Sequence, residues 1–137
     1  MTTAMRSLFG GVTLIAAIAA AGFGLLGAGR DACAAAEPTS FSEDVMPIFR
    51  GRCVGCHQAG QEGFEKSGLD LTSYVGLMRG TKHGPMVVAR DPDSSNLVWL
   101  LDWRASAELR MTHGKKQLSS CDRATIRAWI REGAKDN

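Results

Sequence analysis

The spacing of apolar residues divides this chain into two parts. From Ser7 to Gly29 the chain carries no charge and is rich in apolar and small residues. From about residue 37 onward, apolar residues recur every three or four positions between polar ones, which predicts amphipathic helices. No stretch alternates convincingly enough to predict a strand. The pattern therefore predicts an all-α domain over residues 37–137, preceded by an N-terminal apolar helix.

The first helix of this domain is predicted to begin at Ser40, after a linker. Ser40 and Glu43 have the spacing of a capping box, in which two side chains satisfy each other's backbone N–H groups. Pro47 interrupts the backbone hydrogen-bond ladder and is expected to bend or shorten the helix. Its apolar face consists of Phe41, Val45, Ile48 and Phe49.

Three more short helices are predicted downstream, which gives about four in all. Residues 58–70 are predicted to form a polar loop, followed by a short helix over about 73–78. A helix over about 91–103 is predicted because its opening Asp-Pro pair combines an N-cap with proline at the first helical position. The last helix is predicted over about 119–133, where a glycine ends the periodic pattern. Loops this long in a small domain need a large apolar group to pack against.

The N-terminal segment, residues 1–36, has two interpretations. Its uncharged stretch is long enough to span a bilayer, which suits a transmembrane anchor that gives membrane association through residues 7–29. The small residues 34–36 resemble the cleavage site of a secretory signal peptide, and we favour cleavage near Ala36. Either interpretation exports residues 37–137 to the periplasm, so the two differ only in whether the domain stays anchored to the inner membrane.

Charge and cysteine content narrow the class of protein. The 137 residues carry a net charge of only +2, which argues against a nucleic-acid binder. Four cysteines at positions 33, 53, 56 and 121 are too few for a disulfide scaffold. Two of them need separate explanations: Cys121 is expected either to be a small buried residue or to pair with Cys33 if the N-terminus is retained.

The other two cysteines open the segment Cys53-Val54-Gly55-Cys56-His57, which is the C-x-x-C-H attachment pattern of c-type haem. Two thiols at this spacing can reach two adjacent vinyl groups of one haem, and the following histidine can then bind the iron from below. A zinc site would need a second ligand pair at suitable spacing. A redox dithiol would need a βαβ context. Neither is visible, so one covalent haem c is predicted.

The second axial ligand of the iron is predicted to be Met111. Methionine sulfur binds iron and raises its reduction potential. Met111 lies in an irregular segment directly before the last helix, from which a loop can reach the far face of the haem. Met46 and Met78 are expected to be core residues. The alternatives to Met111 are Met86, His83, His113 or an open position.

At this point the chain resembles the class I cytochromes c, and more narrowly the planctomycete-type cytochrome c. The resemblance spans residues 41–134 and rests on "FSEDVMPIFRGRCVGCH", "SGLDLTSYVGLMRG", "LRMTHGKKQL" and "IRAWIREGA". It implies a cytochrome c fold around one covalent haem, with crossing N- and C-terminal helices and Trp129 in the core where they cross. It also implies that Cys53 and Cys56 attach the haem, while His57 and Met111 bind the iron.

The function implied is single-electron transfer, without catalytic residues. Expected partners are redox proteins such as a membrane oxidoreductase or a photosynthetic or respiratory complex, of which this chain would be a carrier or a haem subunit. The rival hypothesis is a haem enzyme or sensor, peroxidase-like or gas-binding, with an open or labile sixth position. Lys115 and Lys116 are expected to form a basic docking patch, and Arg110 is a candidate partner for a haem propionate.

Overall fold

The computed structural model describes residue 33, residues 38–112 and residues 114–137. Within these residues the chain forms five α-helices and no strand, which confirms the all-α prediction. The predicted N-terminal apolar helix, residues 1–36 apart from Cys33, and His113 lie outside the described residues. None of the helices in the described part of the chain combines the length and apolar character that a membrane span requires.

The helices are short and are separated by irregular segments. A π-helical turn, Phe41–Val45, leads into the first α-helix, and a 3₁₀ turn, Ala107–Leu109, precedes Met111. The α-helices are α1 Met46–Arg52, α2 Glu62–Ser67, α3 Tyr74–Arg79, α4 Asn96–Leu101 and α5 Ser120–Arg131.

The start of the first helix differs in detail from the predicted capping box. The Ser40 hydroxyl accepts a hydrogen bond from the Glu43 N–H (3.2 Å), as predicted. The reciprocal acceptor for the Ser40 N–H is the Asp44 carboxylate (2.8 Å), not that of Glu43. The wider π-helical turn accounts for this, since it brings the residue one position later back over the cap. Pro47 lies in the first turn of α1, where its missing N–H costs little.

Two predicted boundaries are wrong. Residues 58–70 contain α2, which no apolar pattern announces because none of its residues is buried. It ends at Gly68, whose φ of 76° lies in the left-handed region that glycine tolerates.

The other wrong boundary is the start of α4, which begins at Asn96 rather than directly after Asp91. The Asp91 carboxylate instead accepts the Ser94 N–H (3.0 Å) in a separate turn. Ser95 then occupies the N-cap position as a fully buried residue, and its hydroxyl donates to the Asp91 carbonyl (2.8 Å). The Asp-Pro pair therefore opens a turn that precedes the helix.

The core is centred where the N-terminal helical segment meets α5. Trp129 is 1% exposed, its ring lies 5.3 Å from that of Phe41, and its indole N–H donates to the Lys135 carbonyl (2.8 Å). Tyr74 packs edge-on against Phe41 at 5.3 Å. The predicted core position of Trp129 is therefore confirmed. Asn137 reinforces this crossing, because its side chain accepts the Phe41 N–H (2.9 Å).

Cys121, near the start of α5, is bonded to Cys33, with their Cα atoms 4.6 Å apart. The bond joins residues 88 positions apart in sequence. Of the two explanations for Cys121, the small buried residue is therefore wrong: the side chain is only partly buried and its sulfur is in the disulfide.

Candidate haem site

The attachment motif follows directly from the end of α1. Cys53 is the C-cap residue of that helix, and its N–H donates to the Phe49 carbonyl (2.8 Å). The Cys53 carbonyl accepts the N–H groups of both Cys56 and His57, each at 3.0 Å. This is the hydrogen bonding of one helical turn, in which residues three and four apart face the same way. The structure thus brings the two cysteines and the histidine together on one side of the chain.

Both thiols of the motif are free, and their surroundings differ. Cys53 is partly buried and Cys56 is exposed. Burial raises the pKa of the Cys53 thiol to about 11, although the nearby positive charges of Arg52 and Lys115 act in the opposite direction. The Cys53 sulfur therefore stays protonated at neutral pH, which limits its reaction with oxidants.

The His57 imidazole is held in the form that can bind a metal. Burial lowers its pKa, with a weaker opposing influence from the backbone at Leu69, so the ring is neutral at pH 7. Its Nδ1 atom is buried and forms no hydrogen bond of good geometry with any described residue.

Helix α2 closes over the histidine and explains why residues 58–70 are not simply a loop. The Phe64 N–H donates to the Cys56 carbonyl (3.0 Å), and the Leu71 N–H donates to the His57 carbonyl (2.9 Å). A Cβ atom at Gly63 would lie 2.7 Å from the Cys56 carbonyl oxygen and 3.0 Å from Cε1 of His57. Only glycine lets the helix pack this closely, and no periodic pattern in the sequence singles out this residue.

Met111 lies after the 3₁₀ turn, partly buried against the core. Its N–H donates to the Leu100 carbonyl (3.3 Å), and its own carbonyl accepts the indole N–H of Trp103. The segment that follows is tied to α1, since Arg52 donates to the Lys116 carbonyl (3.0 Å). Met111 therefore belongs to a segment hydrogen-bonded to the residue before Cys53.

The other residues considered as iron ligands lie either in the core or on the surface. Met46 and Met86 are 5% and 6% exposed and belong to the core, while Met78 is partly buried against it. His83 is exposed. The described residues contain no group of three or more His, Cys, Asp or Glu side chains that could hold a metal ion. The assignment of Met111 as iron ligand stays a prediction.

Residues 53–111 match the family model described as Planctomycete cytochrome C. This match supports a planctomycete-type cytochrome c domain in the chain. The match runs from Cys53 to Met111, the first and last of the predicted haem-binding residues. No curated protein and no solved structure matches the chain. The family implies haem c, and the residues of this cytochrome c domain fit that group, because two free thiols precede a neutral imidazole at the attachment spacing.

Proposed function

We propose that this protein is an exported c-type cytochrome with one haem, which passes single electrons between redox partners and catalyses no reaction of its own. The observation that carries the proposal is the pair of free thiols next to a neutral imidazole, within the segment that matches the family. Cys53 and Cys56 would hold the haem through thioether bonds, since each thiol would add across one vinyl group, with the sulfur on one carbon, the proton on the other and no net oxidation or reduction.

In this proposal His57 and Met111 would bind the haem iron. The haem, when bound, contributes an iron that gains and loses one electron reversibly. His57 would offer a neutral ring nitrogen to the iron, and the close packing of α2 at Gly63 restricts the orientation of the ring. Met111 presents a sulfur from a segment that packs on the core, which limits the access of water. With both positions filled, no site remains for a substrate.

Export and the domain boundary follow the same proposal. Residues 1–36 act as signal peptide or transmembrane anchor, and residues 37–137 form the cytochrome c domain in the periplasm. The Cys33–Cys121 disulfide supports an oxidising compartment. It also favours a mature chain that still contains Cys33, which speaks against cleavage near Ala36. The hydrogen bond from the Thr39 N–H to the Glu132 carboxylate (2.6 Å) supports a folded part that begins close to residue 37.

Mass spectrometry of the native protein tests attachment and processing together. We expect the mass of the chain plus one haem, retained after acid–acetone extraction, and a first residue at or before Cys33. The matched control is Cys53→Ser/Cys56→Ser, which keeps His57 but should carry no covalent haem. Extractable haem, or one zinc ion per chain, would contradict the proposal.

A second experiment tests the sulfur ligand. Ferric wild-type protein should show the weak near-infrared absorption of a sulfur–iron bond. Met111→Ala should remove this band and open the iron to cyanide and, when reduced, to carbon monoxide. The control is Met86→Leu, a nearly isosteric change in the core that should leave the band intact. A band that survives Met111→Ala but not Met86→Leu would assign the ligand to Met86. If the wild type lacks the band and binds carbon monoxide readily, the rival enzyme or sensor hypothesis gains support.

We further propose that partners dock at Lys115 and Lys116. Both side chains are exposed, and the charge of Lys115 is close enough to Cys53 to lower the pKa of its thiol against the larger effect of burial. The patch therefore borders the attachment motif, where a haem edge would be accessible to an acidic partner surface.

The test of the docking patch is the rate of electron transfer to a redox partner as ionic strength rises. Lys115→Glu/Lys116→Glu should be slower than wild type at low salt, and the two should converge at high salt because exposed charges are screened beyond about 8 Å at physiological salt. Arg131→Glu/Lys135→Glu is the control: it changes the net charge equally at the opposite end of α5, on exposed residues. Equal effects of the two double variants would show that net charge, not this patch, governs docking.

A further inference from the structure

We propose that Trp103 is a positioning residue that holds Met111 at the distance needed to bind the iron. The inference rests on the proposed His57/Met111 ligation and adds to it a residue that neither the family match nor the sequence pattern assigns. Its basis is that both backbone polar groups of Met111 are bound to the end of α4. The Met111 N–H donates to the Leu100 carbonyl, and the Met111 carbonyl accepts the Trp103 indole N–H.

The backbone at Trp103 shows that a bulky residue is used where glycine is favoured. Helix α4 ends in a Schellman motif: the Trp103 N–H donates to the Leu100 carbonyl (3.3 Å) and the Arg104 N–H donates to the Trp99 carbonyl (3.0 Å). The residue after the C-cap in this motif adopts a left-handed conformation and is usually glycine. Trp103 has a φ of 58° there. Strain of this kind tends to be retained at functional positions, so the tryptophan side chain must contribute something that glycine cannot.

The indole ring is itself held in place from the Met111 side. The guanidinium group of Arg110 lies 5.6 Å from the centre of the Trp103 ring, within the range of a cation–π contact. Arg110 directly precedes Met111, so ring and loop are connected both by this contact and by the indole hydrogen bond. Trp103, Arg110 and Thr112 also line a cavity of about 170 Å³.

The far side of Met111 is fastened to the attachment motif. The buried Thr112 hydroxyl donates to the Lys116 carbonyl (2.7 Å), and Arg52 donates to the same oxygen (3.0 Å). Arg52 is the residue before Cys53. Trp103 thus holds one side of the Met111 segment to α4, while the Lys116 carbonyl holds the other side to α1. Removing the indole N–H should loosen the α4 side, where only the hydrogen bond from the Met111 N–H to the Leu100 carbonyl would remain, and the sulfur should leave the iron more often.

Trp103→Phe tests this inference, because it removes the N–H and keeps an aromatic ring. The matched control is Trp99→Phe in the same helix. Trp99 also donates its indole N–H to a backbone carbonyl, that of Asp93 (2.8 Å), and it also has an arginine over its ring, Arg104 at 5.5 Å. Its hydrogen bond does not involve the Met111 segment.

The measurement is the affinity of the ferric holoprotein for imidazole, which competes with the sulfur for the iron. Trp103→Phe should bind imidazole roughly fivefold more tightly than wild type, the effect of one lost hydrogen bond on the bound form. Trp99→Phe should match wild type. Trp103→Gly is a second variant, in case Phe is poorly tolerated at the left-handed position. It suits the Schellman backbone and should still raise the imidazole affinity at least as much.

The outcomes separate this inference from the ligation on which it rests. If Met111→Ala removes the sulfur–iron band but both Trp103 variants bind imidazole as wild type does, Trp103 does not position the ligand. If Trp103 is only structural, the urea midpoint should fall for both Trp103→Phe and Trp99→Phe, and neither variant should gain imidazole affinity. That result would also overturn the inference that Trp103 positions Met111. A wild-type band that survives Met111→Ala overturns the ligation and this inference together.

Discussion

Asp102 is expected to be the charged residue on which the α4–α5 packing most depends. It is the C-cap of α4, and its carboxylate contacts two arginines one turn apart on α5: Arg123 at 3.2 Å and Arg127 through a short hydrogen bond. Burial alone would lower the pKa of Arg127, but its hydrogen bonds to Asp102 and Asp93 raise it overall. Asp102→Asn keeps the shape and one acceptor and removes the charge.

The expected cost follows from the exposure of the three side chains. Exposed ion pairs contribute about 0.2–1 kcal/mol, whereas breaking a fully buried pair costs about 3–5 kcal/mol. The Asp102 side chain is 18% exposed, and those of Arg123 and Arg127 are 24% and 23% exposed. Asp102→Asn should therefore lower the free energy of unfolding by an amount between these two limits, at about 2 kcal/mol. For a domain of this size that corresponds to a decrease of about 10 °C in Tm.

Asp93→Asn is the matched control, because Asp93 contacts the same Arg127 at 3.0 Å while its own side chain is 75% exposed. It should cost about 0.5 kcal/mol or less. The assay is urea unfolding of the holoprotein at pH 7, followed by far-UV circular dichroism. Urea is used because guanidinium is itself a salt and would screen the pairs. Equal losses for the two variants, or an Asp102→Asn protein as stable as wild type, would refute the argument from burial.

Three further predictions concern other parts of the domain. Gly63→Ala should lower the yield of holoprotein because its Cβ overlaps the attachment motif, whereas Gly55→Ala, whose Cβ would meet nothing within 4 Å, should not; absorbance per milligram of protein measures both. Trp129→Phe should lower the free energy of unfolding by about 1–3 kcal/mol, since it removes the hydrogen bond to the Lys135 carbonyl and shrinks a side chain that is 1% exposed. Asp70→Ala should cost about 1 kcal/mol at pH 7, because the carboxylate accepts the Thr72 N–H and hydroxyl, which lower its pKa. That stability is present above the ordinary aspartate pKa of about 4 and is lost as pH falls through the lower folded pKa, so unfolding curves of the two proteins should converge in acid.

Local signals in the sequence were sufficient to predict helices where the stabilising interactions join residues only a few positions apart. The start of α5 near residue 119 was predicted from the periodic apolar residues, and in the structure the Ser119 hydroxyl caps the helix by accepting the Asp122 N–H (3.0 Å). The start of α4 was predicted too early for a related reason: Asp91 satisfies a backbone N–H, but in a turn. Whether that turn continues into a helix depends on the burial of Ser95, which local spacing does not encode.

The residues that shape the candidate site were harder to predict because they act across the fold. Cys53, Cys56 and His57 could be found because covalent attachment fixes their spacing. Gly63 matters only because α2 packs on the motif, and that helix has no buried face to announce it. Trp103 was expected only as the end of a helix. Its hydrogen bond to Met111 joins segments that the sequence does not show to be adjacent.

The Cys33–Cys121 disulfide also bears on the chemistry of haem attachment itself. A single disulfide among four cysteines can form in six ways, and only the bond between Cys33 and Cys121 leaves both thiols of the motif reduced. We expect this bond to remove two competing nucleophiles from the attachment of haem at Cys53 and Cys56. A chain that lost Cys33 or Cys121 would gain an odd thiol able to capture Cys53 or Cys56. A protein with such a substitution, which lies far from the motif in sequence, should then carry haem bound through a single thioether.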